Sequence, residues 1–586
     1  MTHARRGDFA LDARLVRITA MAAAIGLFAT AAAWVLINLI RFFTNLFFFQ
    51  TLSLAERSPA DHALGAWVIA VPVIGGLIVG LMARFGSDKI RGHGIPEAIE
   101  AILFSKSRMS PRVALLKPLS SGIVIGSGGP FGAEGPIIMT GGAIGSLLAQ
   151  YFHLSAGERK TLLVAGATAG MTAVFGTPVA AVLLAVELLL FELRPRSLLP
   201  VALACAIAGF ARSLAFAPGP LFPLQTLAPD AATFFSCVVA GIACGALGTV
   251  LSGALYKVED LFGQIGLHWM WWPALGGLAV GIGGYFQPRA LGVGYDVIGD
   301  LLHNHLLLGA VLALLAVKAV IWVIALGSGT SGGVLAPLLM MGAGLGAALG
   351  HVLPGNDPAI FPLVCMAATL GGVMHAPLMA VVFAFGLTHD SQALLPLLTA
   401  TAVAYGFTVM TMRRSIMTEK IARRGYHIFR EYGIDPLERH AVGELMTREV
   451  QTIDAELPAA LALQRHFGPT QAHRAFPVLQ NGRLLGMVDR AVLSEIHRQH
   501  PDARVGDACT DLDAPVALEG ESCRSVAGRL ARHRLERLPV LADAQTRVLT
   551  GIISRSDLIK PSLVHFDEEE TRERLRGAGR TRGLRA

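Results

Sequence analysis

From its first residue to Met412 this chain is almost without charge. Only 21 Lys/Arg and 18 Asp/Glu are spread over those 412 positions, and the runs 18–40, 65–83 and 231–256 carry none. Roughly 20 apolar residues cross a bilayer, so each of these runs is long enough to do so. From residue 413 onward the pattern reverses, with 28 Lys/Arg and 24 Asp/Glu in 174 residues. A chain of this kind is not disordered, fibrous or soluble throughout. It reads as a membrane block followed by a soluble tail. Arg5, Arg6, Arg14 and Arg17 flank the first apolar run, which overshoots the Ala31-Ala32-Ala33 stretch a signal peptide would be cut at. A retained membrane helix is expected, with both chain ends on the cytoplasmic side. The net charge of +7 is spread out and forms no nucleic-acid stripe. The six Cys include no Cys-x-x-Cys pair, so neither a disulfide frame nor a zinc site is indicated.

The membrane block is rich in Gly, which totals 65 in the chain, and Gly and Pro interrupt its apolar runs at 126–136, 176–178, 327–337 and 375–377. Helices that stop and restart inside a membrane have this character. The block also repeats. GSGGPFGAEGPIIMTGGAIG (126–145) aligns without gaps on GSGTSGGVLAPLLMMGAGLG (327–346), with eight of twenty positions identical. TPVAAVLLAVEL (177–188) matches APLMAVVFAFGL (376–387). Two halves with broken helices at corresponding places point to a transport site where the repeats meet. The repeat itself leaves open whether the halves are parallel or inverted.

Glu134 is the only charged residue between Lys117 and Glu158. An ionisable group in such surroundings is costly and marks a functional site by default. A bland alternative is a carboxylate capping a helix N-terminus. The repeat speaks against it, because the partner position is Leu335. Gly-rich turns followed by Pro and an apolar helix aim unpaired N–H groups into a cavity. Two such helix starts, at 126–136 and 327–337, can hold an anion without Lys or Arg. A full buried cation would bind it too tightly to release. A carboxylate there competes with a diffusing anion, and protonating it vacates the place. The 126–132 spacing imitates a phosphate loop, but Ala133-Glu134 stands where Lys-Ser/Thr is needed. In another such loop, GHGIPEAIE (92–100), which comes first along the chain, His93 either donates to an anion or relays protons, or is simply exposed at a loop mouth.

The tail has its own repeat, with a period near 63 residues. VGELMT (442–447) pairs with VGDACT (505–510), FPVL (476–479) with LPVL (538–541), and GMVDRAVL (486–493) with GIISRSDL (551–558). Short apolar strands mixed with amphipathic stretches give an α/β pattern.

GHGIP (92–96), GAEGP (132–136) and GGVLAP (332–337), with Lys117 before the second, resemble the three signature loops of the CLC family of chloride channels and chloride/proton antiporters. The tail repeat resembles a pair of cystathionine-β-synthase-type (CBS) domains. The resemblance implies an α-helical polytopic membrane protein of two inverted repeats with broken, tilted helices, followed by an α/β CBS pair. It also implies a homodimer with an anion path in each subunit. Glu134 matches the family's gating glutamate, and the amides of Val334 and Leu335 match central anion-site donors. His93, beside Gly94, stands where the family has a site serine. Met417 stands for the site tyrosine, and Leu188 for the inward-side glutamate many antiporters use. Glu187 and Glu192 lie nearby, but a helix turns neighbours by about 100°, and a structural or interfacial role is their alternative. A channel, a weakly coupled exchanger and an exchanger with another proton path remain open. In the tail, Ser554 and Asp557 fit a pattern in which hydroxyl meets phosphate and carboxylate meets ribose, while 489–492 lacks the final Asp. A purely structural dimerising module is the alternative there.

The expected layout is an N-terminal cytoplasmic segment at 1–14, a transport domain at 15–425 and a linker at 426–440. CBS domains follow at 441–500 and 501–562, with a disordered charged tail at 563–586. The expected protein is no enzyme and needs no cofactor. It sits in an inner or plasma membrane among lipid, pairs with a second copy, and handles small anions and protons but no nucleic acid. Chloride or another monovalent anion is the substrate, and an adenine nucleotide is a candidate ligand of the CBS pair. The competing classes are a CBS-regulated cation transporter, which would need acidic clusters in the membrane, and a nucleotide-sensing membrane protein.

Overall fold

Pro and Gly set where the helices of the first part begin and end. The computed structural model describes residues 14–426, 428, 437, 440–468, 471, 473–509 and 515–561. The expected N-terminal segment up to residue 13, most of the linker and the tail at 563–586 lie outside the described residues. The chain divides into two units, which part at Glu431. In the first half of unit one, α1 (Arg14–Phe49), α2 (Ala70–Phe85), α3 (Ile95–Phe104), α4 (Pro111–Gly126), α5 (Glu134–Gln150), α6 (Ala156–Phe175), α7 (Pro178–Leu184) and α8 (Pro195–Ala215) follow in order. The second half has α9 (Ala231–Gln264), α10 (Trp272–Phe286), α11 (Tyr295–Leu302), α12 (Leu308–Gly327), α13 (Leu335–Leu349), α14 (Ile360–Met374), α15 (Pro377–Thr388) and α16 (Leu394–Thr411). A short α17 (Ile416–Arg423) closes the unit.

The two halves therefore match helix for helix. Gly176 and His375 end α6 and α14 in the left-handed region, at φ of 73° and 55°. Pro178 and Pro377 then start the next helices, whose missing N–H costs nothing in a first turn. The halves also touch reciprocally. A Cβ on Gly76 in α2 would lie 2.3 Å from the Pro273 carbonyl oxygen, and one on Gly277 in α10 would lie 2.3 Å from that of Pro72. These are one contact with the halves exchanged, as a pseudo-two-fold axis requires. At the axis, Gly132 and Gly333 form an antiparallel bridge, consistent with inverted repeats. Among the described residues, six helical segments, Arg14–Phe49 and Ala231–Gln264 among them, are long and apolar enough to cross a membrane. Their outward faces carry residues such as Phe210, Leu214 and Met410, at 81–86% exposure, which suits a lipid solvent. By contrast α5 and α13 have only 17 and 15 residues, fewer than the roughly 20 that cross a bilayer.

Unit two is α/β. Its first copy comprises α18 (Val442–Leu445), β1 (Ile453–Asp454), α19 (Ala459–His466), β2 (Ala475–Gln480), β3 (Arg483–Asp489) and α20 (Arg490–Gln499). The second comprises β4 (Ala517–Leu518), α21 (Cys523–Arg532), β5 (Arg537–Leu541), β6 (Leu549–Ser554) and a helix over 555–561. Each copy builds a three-stranded sheet, parallel between its first two strands and antiparallel between the last two. The opening segments are exchanged. Val442 and Met446 pack with Val526, Leu538 and Ile553 of the second copy, and Thr447 exchanges both backbone hydrogen bonds with Ile552 at 2.9 Å. Conversely, Val505 packs with Ile453, Phe476 and Val478 of the first. Neither core is complete alone.

The last helix starts from a capping box. The Ser554 Oγ accepts from the Asp557 N–H at 3.3 Å, and Asp557 Oδ2 accepts from the Ser554 N–H at 2.8 Å and hydroxyl at 2.6 Å. Burial alone would raise the Asp557 carboxyl, but Lys560 and Ser554 outweigh it and hold it below the usual aspartate value. A lowered folded value stabilises above the unfolded value and is lost as pH falls through the folded one. Asp557→Asn is therefore expected to speed amide exchange in the 555–561 helix by roughly three- to tenfold at pH 7, the equivalent of about 1 kcal/mol for a lost cap. The gap between variant and wild type should narrow as pH falls below the usual aspartate value and close only below the lowered folded one, as read by hydrogen exchange on the solubilised full-length protein. A gap that persists unchanged at pH 3 would refute this account of the cap.

Candidate anion site at the repeat interface

The Gly132–Gly333 bridge, with N–H···O distances of 3.3 and 3.0 Å, brings the starts of α5 and α13 together. A helix N-terminus carries roughly half a positive charge, in its unpaired N–H groups. Glu134 opens α5 and turns its carboxylate across the axis to the other helix. Its Oε1 accepts from the Ala336 N–H at 2.9 Å, and the amides of Leu335 and of Glu134 itself face the same group. Small residues make room for it: a Cβ at Gly132 would lie 1.9 Å from Glu134 Oε2. Glu134 is wholly buried, and its Oε2 has no hydrogen-bond partner. Two helix termini, without a side-chain cation, thus hold one internal carboxylate. Val334 and Leu335 are fully buried at the start of α13, where Val334 is the N-cap.

The 92–94 loop rests on the first turn of α5. A Cβ at Gly135 would lie 1.9 Å from the His93 carbonyl oxygen, and one at Gly94 would meet Gly135 and Met139. Gly94 has a φ of 91° and caps α3, and its N–H donates to Glu97 Oε2 at 3.1 Å. His93 is 2% exposed, and its buried Nδ1 has no partner. This is not the exposed loop-mouth histidine of the bland alternative.

A buried lysine explains why the loops stay together. Lys117 Nζ donates to the carbonyls of Ile90 and Gly92, both at 2.8 Å, and to Ser331 Oγ at 3.0 Å. Ser331 also bonds Ser120 and Ser121. The Lys117 ammonium therefore joins the first loop to the third. Lys318 is its repeat mate and donates to the carbonyls of Ala290 and Gly292, both at 2.9 Å.

That mirrored loop carries Tyr295, which the sequence reading missed. Its hydroxyl is buried without a partner and lies close enough to Glu134 to feel its charge. Its ring packs edge-on to Phe175 and Phe222, with centroids 6.2 Å away in both cases. Aligning GVGYD (292–296) on GHGIP (92–96) would have found it.

The structure places the other residues singled out from the sequence as follows. Met417 is fully buried in the first turn of α17, and Tyr256 fixes that turn by donating to the Ile416 carbonyl at 2.5 Å. The contact tying α17 to the first loop is that of Lys420, whose Nζ is 3.0 Å from Glu97 Oε1 and packs on Gly92. Leu188 is buried in the π-helical turn Ala185–Leu190 that follows α7. Beside it, Glu187 accepts from the N–H groups of Leu378 (3.2 Å) and Met379 (2.8 Å) at the start of α15. Glu192 accepts from Ser197 at 2.6 Å. In unit two, Ser554 and Asp557 bind one another in the capping box.

The sequence matches the voltage-gated chloride channel family over residues 75–409, and the CBS domain over 442–495 and 505–563. A putative chloride channel protein, ClcB-like, of Ralstonia nicotianae is 30% identical over 377 residues, covering 62% of this chain and 87% of that protein. The H+/Cl− exchange transporter ClcA of Salmonella paratyphi A is 28% identical over 365 residues, covering 58% and 75%. Among solved structures, a slow cyanobacterial Cl−/H+ antiporter superposes with a TM-score of 0.62 at 20% identity, over 71% of this chain and 99% of that one. A eukaryotic CLC transporter gives 0.61 at 19% identity, over 93% and 98%. These likenesses show the fold. With its signature loops meeting at one axis and the family match spanning more than half of its length, the chain belongs to the voltage-gated chloride channel (CLC) family and carries a C-terminal pair of CBS domains.

Proposed function

We propose that this protein moves chloride or another small monovalent anion across a cell's inner or plasma membrane, as a channel or a proton-coupled exchanger, with Glu134 as the gate. One observation carries the reading: the Glu134 carboxyl group already sits on the amides of the opposite repeat. A mobile anion of similar size uses the same donors once the carboxylate leaves. Protonation removes the charge that holds it there, which couples anion access to pH. The functions named for the Ralstonia and Salmonella relatives, a chloride channel and an H+/Cl− exchanger, support the same reading.

The anion site of this proposal comprises the amides of Val334 and Leu335 and the first loop at His93 and Gly94, with Met417 on the inner side. His93 replaces a rotatable hydroxyl with an imidazole whose Nδ1 is free to act. The transport domain is taken as 15–425 and the CBS domains as 441–500 and 501–562. The protein works as a homodimer with both termini in the cytoplasm. The mutual capping of Ser554 and Asp557 favours a structural role for the CBS pair over an adenine-nucleotide site.

In proteoliposomes, Glu134→Ala is expected to abolish the pH dependence of anion flux and any proton movement linked to it. Flux with unchanged rate and pH dependence would remove Glu134 from the gate. His93→Ser is expected to reorder the preference among chloride, nitrate and fluoride, measured from reversal potentials under mixed-anion gradients. An unchanged series would make His93 a bystander.

A further inference from the structure

Arg91 precedes the first anion loop by one residue, and its environment is unusual for a guanidinium. Its centre lies 4.4 Å from the Trp269 ring centroid and 5.8 Å from that of Trp272, within range for cation–π attraction. The same group lies over Gly329, where a Cβ would stand 3.0 Å from one of its terminal nitrogens. Gly329 in turn accepts from the Gly92 N–H at 3.2 Å. The guanidinium is thus pinned between the first loop and the third. Its Nε is buried without a hydrogen-bond partner.

The fold does not itself need a cation here. By the repeat, Gly128 is the mate of Gly329, and two apolar residues pack over Gly128, Phe48 at 3.0 Å and Leu291 at 3.2 Å from the position of a Cβ there. Leu291 stands in its loop where Arg91 stands in the other. An apolar side chain therefore fills the mirrored place, as Leu335 does opposite Glu134.

Arg91 also lines a cavity of about 440 Å³ beside α17, with Asp88, Glu97, Glu259, Lys420 and Arg424 among its other walls. Arg424 and Lys420 are paired with Glu97. Around Arg91, the charges that act on it are Glu259, Asp88, Arg424 and Glu97. The full lining carries six Lys/Arg against four Asp/Glu, and this partly compensated excess of positive charge attracts an anion without trapping it. The cavity lies where the chain leaves unit one, the cytoplasmic side of the proposed function.

We propose that Arg91, held by Trp269 and Trp272, is a fixed recruiting site at which small monovalent anions are collected from the cytoplasm and passed to the His93 loop. This inference rests on the anion-transport reading above. Its test varies chloride on the cytoplasmic face alone, in planar bilayers holding the full-length protein in one orientation. Arg91→Leu, which copies the mirrored residue, is expected to raise the half-saturating cytoplasmic chloride by roughly three- to tenfold and to flatten its ionic-strength dependence. The half-saturation from the opposite face should not move. Arg91→Lys should retain most of the wild-type affinity, and Glu259→Gln should shift half-saturation the other way. Equal cytoplasmic half-saturation and salt dependence in wild type and Arg91→Leu would overturn the proposal and leave Arg91 a structural pin. A wild type without anion flux would overturn the transport reading and this inference together, a result distinct from the first.

Discussion

The hydrogen bond from the Ala336 amide to Glu134 depends on two helix starts being held nose to nose, and most of the transmembrane unit serves that end. Unpaired N–H groups at a helix start are costly to bury and repel one another. Here an internal carboxylate satisfies both ends at once. The arrangement needs backbone closer than side chains permit, hence the glycines at 132, 135 and 333. It also needs loops that do not drift, hence Lys117 and Lys318, each bonded to two carbonyls of a neighbouring loop. Cations are present in the membrane block, but those two are committed to backbone and leave the meeting point to amides.

The pseudo-two-fold axis separates what the scaffold requires from what the site adds. Features present in both halves belong to the frame: the lysine clamps, the left-handed helix ends before Pro178 and Pro377, and the α2–α10 contact. Features present in one half alone are candidates for chemistry. Glu134 faces Leu335, Arg91 faces Leu291, and His93 faces Val293. All three departures lie in or beside the loops that meet at the axis, and there the two halves cease to be equivalent.

Much of this was legible before any coordinates. Glu134 stood out because an isolated acid in apolar sequence is expensive, and the loops stood out because a repeat preserves what the backbone needs. Other parts were not legible for physical reasons. The partners of Lys117 are carbonyls, and carbonyls leave no mark in a sequence. Tyr295 lies in a loop whose likeness to the first is chiefly its glycines. The period of the tail was plain, but a repeat looks the same whether each opening segment packs on its own copy or on the other. Ser554 and Asp557 fitted a ligand pattern, and the same spacing makes the capping box that the structure shows, so spacing alone does not separate the two uses. Met417 was placed by resemblance, and the Lys420–Glu97 pair that ties its helix to the first loop leaves no motif in the sequence.

The central claim is that the carboxylate and the transported anion take turns on the same amides. Anomalous scattering from bromide, collected for wild type and for Glu134→Gln, tests it directly. The account predicts a bromide within hydrogen-bond distance of the Ala336 amide in the variant, where the wild type holds its carboxylate. Bromide absent from that amide in the variant, or bound there in the wild type with the carboxylate still in place, would contradict it.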